Sequence, residues 1–366
     1  VRQKKFGAKM FGRNSEDDLV TKARRSLTVL CGIFMVAFSG QLARAQGVNK
    51  PKIGFSIEDM KGERWQTDLN SFEARAKELG AEVISADASG DSARQFQQVQ
   101  DMIKAGIKVL VLMPRDTTKA SRMVDAAKSA NVKVVSYDRL VLDSDVDLYV
   151  SFDRIETGWM QAEYLTKHAP KGNYVLIAGS PNDEGSKILH DEQMKVLQPY
   201  IDRGDIKVIA DAYTKDWLPS EAYLFMLKAI DSSQGNIAAV LASNDGLAGG
   251  AIQALREHNL AGKVLVSGQD ADLAAVICIA QGVQSMTVYK PVENEATVAA
   301  EEAVRLAKGE KTRADRTVNN GKTNVPAILL KPTMVTKDNI KTTVVKDGFQ
   351  KLKSINQALS EDQQIK

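Results

Sequence analysis

The sequence predicts an α/β protein built as two doubly wound parallel-sheet lobes. Three observations carry this. Short apolar runs alternate with amphipathic helical segments from Lys52 to Leu306, the same rhythm restarts near Ile155, and in both halves polar side chains follow the ends of the apolar runs. Regular alternation of this kind favours right-handed crossovers and a parallel sheet covered on both faces. With 366 residues, 43% of them hydrophobic and 26% charged, the chain is long enough for two cores rather than one.

In the first half, Lys52 to Ile57 reads as a strand. Glu63 to Leu79 reads as a helix, with Trp65, Leu69, Phe72, Ala76 and Leu79 on one face. Val83–Ala86, Val109–Met113 and Lys133–Tyr137 continue as strands, separated by helices at 93–105 and 123–130, and Leu148–Phe152 adds a further strand. The second half runs helix 155–168, strand 173–178, helix 187–201, strand 207–210 and helix 219–230. Strands at 238–241, 264–266 and 284–288 follow, with helices at 247–257 and 273–280 between them, and Glu295–Leu306 is one more amphipathic helix. After Lys351 the chain turns polar, and a frayed tail over 351–366 is expected.

Near the start, Lys22, Arg24 and Arg25 precede an apolar run from Leu27 to Phe38, and Ala43-Arg-Ala45 supplies small residues at −3 and −1. This pattern predicts a secretory signal over 1–45, cut after Ala45, with Met10 a candidate start. The run is shorter than the roughly 20 residues that span a bilayer. Residues 1–45 hold nine basic and three acidic residues of the chain's 49 and 46, so the remainder carries 40 basic against 43 acidic. The basic balance belongs to the leader, and a nucleic-acid partner is not implied. Cys31 would leave with the signal, so the exported chain keeps Cys278 and no internal disulfide.

The polar groups at the strand ends carry the functional reading. Glu58, Asp59, Arg64 and Trp65 follow the first strand; Asp138 and Arg139 end the strand at 133–137; Asp183 follows the strand at 173–178. Asp216 and Trp217 come after 207–210, and Asn244-Asp245, Gln269-Asp270 and Lys290 after the later strands. Each alone passes as a helix cap, and Trp217 either plugs its lobe or presents a ring face. Together they line the carboxyl edges of the strands, where open α/β sheets bind ligands. Carboxylates, amides, Arg, Lys and Trp suit a molecule of hydroxyls and C–H faces, since each hydroxyl both donates and accepts. A sugar is such a molecule.

Catalytic and metal motifs are weak. His168, His190 and His258 are dispersed, and neither a Gly-x-Gly-x-x-Gly after the first strand nor a Walker-type loop occurs. No cofactor, metal or reaction is expected.

Glu63-Arg-Trp-Gln66, Tyr137-Asp-Arg139, Val150-Ser-Phe-Asp153, Trp217-Leu-Pro219, Ala242-Ser-Asn-Asp245, Ser267-Gly-Gln-Asp-Ala-Asp-Leu273 and Met286-Thr-Val-Tyr-Lys-Pro291 together resemble the pentose and hexose branch of the type I periplasmic binding proteins over residues 50–350. The resemblance implies a monomeric periplasmic receptor, xylose first among its sugars, that delivers a monosaccharide to the membrane permease of an ABC importer. It implies sugar hydrogen bonds from Arg64, Asp138, Arg139, Asp183, Asn244, Asp270 and Lys290, and a ring sandwich by Trp65 and Trp217. His190 stands where the family carries a second sugar-binding arginine, and is expected in the site; Gly185 replaces a polar residue. These departures keep another pentose or hexose, or a sensor partner, as the alternative. The resemblance further implies a three-crossing hinge near 153–155, near Tyr289 and near 325–332. The expected division is 50–154 plus 290–325 in the N-terminal lobe and 155–289 plus 326–350 in the C-terminal lobe.

Overall fold

A computed structural model describes residues 50–365, apart from Gly62 and the side chain of Glu63. The expected signal segment, Cys31 and Met10 lie outside the described residues.

The first lobe is built on a seven-stranded sheet. Its strands are β1 (Lys52–Ile57), β2 (Glu82–Asp87), β3 (Val109–Leu112), β4 (Lys133–Tyr137), β5 (Leu148–Phe152), β11 (Arg316–Asn319) and β12 (Asn324–Leu330), in the order β2-β1-β3-β4-β5-β12-β11. All neighbours are parallel except the edge pair β11–β12. The run Val-Leu-Val-Leu of β3 is buried throughout, as a strand covered on both faces requires. On one face lie α1 (Glu63–Glu78) and α9 (Val292–Ala307), and on the other α2 (Ser92–Lys104) and α3 (Ser121–Ser129). Ala296, Ala299, Ala300 and Ala303 recur at helical spacing on α9 and are fully buried beside Phe55, Phe72 and Ala76. Small side chains there bring the helix close to the sheet. Asp91 starts α2 by accepting from the amides of Ala93 and Arg94.

The second lobe has a parallel sheet β7-β6-β8-β9, formed by β6 (Gly172–Ala178), β7 (Ile206–Tyr213), β8 (Ala239–Ala242) and β9 (Leu265–Val266). It is covered by α4 (Arg154–His168) and α5 (Glu184–Asp202) on one face and by α6 (Pro219–Ser233) and α7 (Asp245–Glu257) on the other. A second small sheet pairs β10 (Thr287–Tyr289) antiparallel with β13 (Thr333–Val335), next to α8 (Leu273–Gln281). The chain changes lobe three times: between β5 and α4, between β10 and α9, and between β12 and β13. The Asp153 amide donates to the Leu330 carbonyl at 2.9 Å, tying the first crossing to the third.

Two boundaries move from their expected places. β12 stays in the large sheet to Leu330, paired with β5 as far as Phe152, so the third change of lobe falls after residue 330 rather than after 325. Pro326 is tolerated because β12's neighbour on one side is only the short edge strand β11. The chain after Lys351 is not a frayed tail. It forms α10 (Leu352–Gln357), and Ile355 and Leu359 are buried against α8, a four-residue spacing that puts both on one face. Asn356 and Ile365 exchange hydrogen bonds at 2.9 and 3.0 Å.

Candidate functional site

Both sheets change direction at an interior strand: β1 lies between β2 and β3, and β6 between β7 and β8. Crevices at such switch points open at the carboxyl ends of the strands, and here the two crevices face each other across one cavity of about 720 Å³. That volume falls in the range of small-molecule sites, about 300–1,000 Å³.

Arg64, Arg115 and Arg139 line the cavity from the first lobe. Arg64, at the start of α1, is buried and surrounded by carboxylates: Glu295 at 3.0 Å, Asp138 at 3.3 Å, Asp68 at 3.4 Å and Asp270 at 3.7 Å. Its guanidinium also lies 4.2 Å over the Trp65 ring. Burial works against the charge, but the four carboxylates outweigh it and hold Arg64 well above the usual arginine range. One guanidinium cannot neutralise four acids. Burial, reinforced by Asp138, therefore pushes Glu295 well up, and burial pushes Asp68 up despite its bonds to Arg64 and the Tyr137 hydroxyl. Asp138 goes the other way: burial would raise it, but Arg64, Arg154, Lys290 and Arg139 hold it below the usual carboxylate range. The surrounding cations thus favour the charged form of Asp138.

Arg139 sits between Glu58 at 2.7 Å and Asp183 at 3.1 Å. Arg115 similarly joins Glu58 at 3.0 Å to Asp216 at 2.6 Å. Asp183 and Asp216 belong to the second lobe, so both arginines bridge the cleft. Lys290, just beyond β10, pairs with Asp270 at 2.8 Å.

In the second lobe, capping and cavity-lining coincide. Asp183 starts α5 by accepting from the Gly185 amide, and Asn244 starts α7 by accepting from Leu247; both also line the cavity. Trp217 lines it from a 3₁₀ turn after β7, with φ of 56°, and its ring covers Gly179 so closely that a Cβ there would collide with it. Asp138, Asp216 and Asp270 also have positive φ, at 57°, 52° and 105°. Non-glycine residues hold such backbone only where their surroundings impose it, and such strain gathers at functional sites.

Residues 53–311 match the periplasmic binding protein domain. The chain is 46% identical over 330 residues to the D-xylose-binding periplasmic protein of Escherichia coli K12, an alignment that covers 90% of this chain and 98% of the other. The chain belongs to the periplasmic binding protein family. A second relative, the D-xylose-binding periplasmic protein of Haemophilus influenzae, is 47% identical over 304 residues, covering 83% of this chain and 92% of that one. Among solved structures, a carbohydrate transporter solute binding protein from Chloroflexus aurantiacus in complex with D-glucose superposes with a TM-score of 0.77 at 31% identity, covering 84% and 98% of the two chains. The two-lobe, three-crossing fold expected from the sequence is the fold this family shares.

In this periplasmic binding protein, nine of the ten predicted residues line this cavity: Arg64, Trp65, Asp138, Arg139, Asp183, Trp217, Asn244, Asp270 and Lys290. His190 does not. It lies seven residues, about 10 Å, beyond the Asp183 cap, and its Nε2 is 3.0 Å from the Asp211 carboxylate of β7 while its ring stacks at a tilt near Tyr213. The carboxylate of Asp211 draws it away from the cavity. Two arginines of the lining were not among the expected site residues. Arg115 follows β3 after Met113-Pro114, a strand-end signal like the others, and Arg154 hides as the first residue of α4 behind the Asp153 cap. Among the described residues, no group of three His, Cys, Asp or Glu could hold a metal, and no helix is long and apolar enough to cross a membrane.

Proposed function

We propose that the protein is a periplasmic receptor for one monosaccharide, D-xylose first, which it encloses by closing its two lobes and hands to the membrane permease of an ABC importer. The observation that carries this reading is the convergence of hydroxyl-matching side chains from both lobes on one cavity with Trp65 and Trp217 in its wall. Arg64, Asp138, Arg139, Asp183, Asn244, Asp270 and Lys290 hydrogen-bond the sugar, and the two indoles take its C–H faces. The D-xylose-binding relatives support the choice of sugar. Ligand stabilises closure through contacts that exist only in the closed form. The receptor acts as a monomer, without cofactor and without catalysing a reaction, and reaches the periplasm through a signal cleaved after Ala45. The likeness to the D-glucose complex favours a hexose as the second reading.

Calorimetry with a panel of aldopentoses and hexoses tests this. Heat of binding with xylose is expected, and no conversion of labelled xylose. Silence with every pentose beside a clear signal from another solute would overturn the choice of sugar, and turnover would overturn the receptor role.

A further inference from the structure

Arg154 opens α4 directly after the first crossing. The N-terminus of a helix disfavours a cation, yet this one is buried and lies along the cavity wall. Its Nη2 donates to the Asp138 carbonyl at 2.8 Å and pairs with the Asp138 carboxylate at 3.2 Å, while Nε is buried without a hydrogen-bond partner. A buried guanidinium donor left unpaired is costly. The seat of this guanidinium exists because residue 185 is glycine: a Cβ there would stand 2.5 Å from Cζ and Nη1 and 2.6 Å from Nε. Gly185 has no positive φ to explain it, so the requirement is space. The guanidinium thus reaches across the crossing, held by Asp138 of the first lobe and seated over the first turn of α5 in the second. His190 of α5 is turned to Asp211 instead.

We propose that Arg154 reads a hydroxyl of the bound sugar, and that Gly185 is a specificity-determining residue because it leaves that guanidinium its seat. This rests on the monosaccharide reading above and adds to it a contact made from the hinge itself. A guanidinium in this cavity wall favours a sugar with a hydroxyl facing the crossing over the analogue lacking it, which forfeits the charge-assisted contact. A side chain at 185 would exclude the guanidinium and remove that discrimination.

The test is calorimetry of the full-length protein with D-xylose and with 2-, 3- and 4-deoxy-D-xylose, comparing the unmodified chain, Arg154→Ala, Gly185→Ala and the double variant. Arg154→Ala is expected to weaken xylose binding about ten- to a hundredfold, the worth of one charge-assisted hydrogen bond. For one of the three deoxy sugars the two proteins should bind alike, because the hydroxyl that Arg154 reads is gone. A merely structural role would lower affinity for all four sugars equally, and that result, or no loss at all, overturns the proposal. Gly185→Ala should reproduce the loss, and the double variant should bind no worse than either single one; additive losses would overturn the role of Gly185. If Arg154→Ala fails to fold by thermal unfolding, Gly185→Ala carries the same deoxy-sugar comparison with the arginine retained. No xylose binding by the unmodified protein overturns the choice of xylose and this proposal together. Binding by the unmodified chain with Arg154→Ala indistinguishable from it overturns this proposal alone.

Discussion

The ion pairs that cross the cleft take their cations from the first lobe and their acids from the second, and the two lobes support these charges differently. Arg64, Arg115 and Arg139 stand on the first lobe and face Asp270, Asp216 and Asp183 of the second at 3.7, 2.6 and 3.1 Å. Behind the first lobe's cations lies a buried layer of the same lobe, with Asp68, the Tyr137 hydroxyl and Glu295 around Arg64 and Glu58 against Arg139. Asp183 and Asp216 rest on a helix cap and on left-handed backbone, and their cationic partners lie across the cleft. The first lobe holds its site in shape by itself, whereas the second completes its ion pairs when the lobes meet. Opposite signs on facing walls draw the lobes together and fix their register.

The largest way to break this comparison is Arg64→Met. It removes the one cation shared by four carboxylates, and breaking a buried pair costs about 3–5 kcal/mol. A lower denaturant midpoint is expected together with lost sugar binding; unchanged stability would mean that the buried layer does not depend on Arg64. Arg139→Ala comes next. It takes one cation from Glu58, which keeps Arg115, and one from Asp183, and xylose affinity should fall more than a hundredfold while circular dichroism stays native, since the Arg64 layer is untouched. Retained affinity would move the site elsewhere.

Trp217→Ala tests the second lobe's ring platform. An aromatic face is worth about 0.5–1.5 kcal/mol beyond buried area, so affinity should drop up to about tenfold by calorimetry, with little change in melting temperature. Asp216→Asn is smaller. Its pair with Arg115 is partly exposed, and such pairs are worth about 0.2–1 kcal/mol and are screened by salt. Its effect on affinity should shrink as ionic strength rises; a salt-independent loss would make Asp216 a direct ligand contact.

His190→Ala sharpens the comparison from outside the cleft. The hydrogen bond to Asp211 raises His190 above its ordinary value, against burial. A raised histidine contributes stability that is whole below its unfolded value of about 6.5 and is lost as pH rises through the folded value. The melting temperature of the unmodified protein should therefore fall from pH 6 toward pH 8 relative to the variant, with sugar affinity equal in both. Lost binding in the variant would return His190 to the site.

Much of this architecture was legible because parallel strands covered on both faces are short apolar runs, and the residues that stop them are the ones that reach the crevice. Tyr137-Asp138-Arg139 is an example: the strand ends where the cavity begins. β11 was not legible, since Arg-Thr-Val-Asn at a sheet edge carries little burial pattern, and β12, which the family resemblance assigned to a hinge crossing, carries Pro326 within its strand. His190 was expected in the site by position alone. Sequence spacing could not register Asp211, 21 residues away, as the stronger attraction. Arg154 falls in the expected crossing at 153–155, and nothing local in the sequence shows that its guanidinium reaches the cavity wall.

By itself, the chain determined the alternation of strand and helix, the two-lobe fold and the strand ends that carry polar groups, because these follow from periodicity and from where burial stops. Which side chains meet was decided by tertiary structure. Pairings such as Arg139 with Asp183, Arg64 with Glu295 and Arg154 over Gly185 join segments tens to hundreds of residues apart, and their strength depends on distance and burial, which exist only once both sheets are packed.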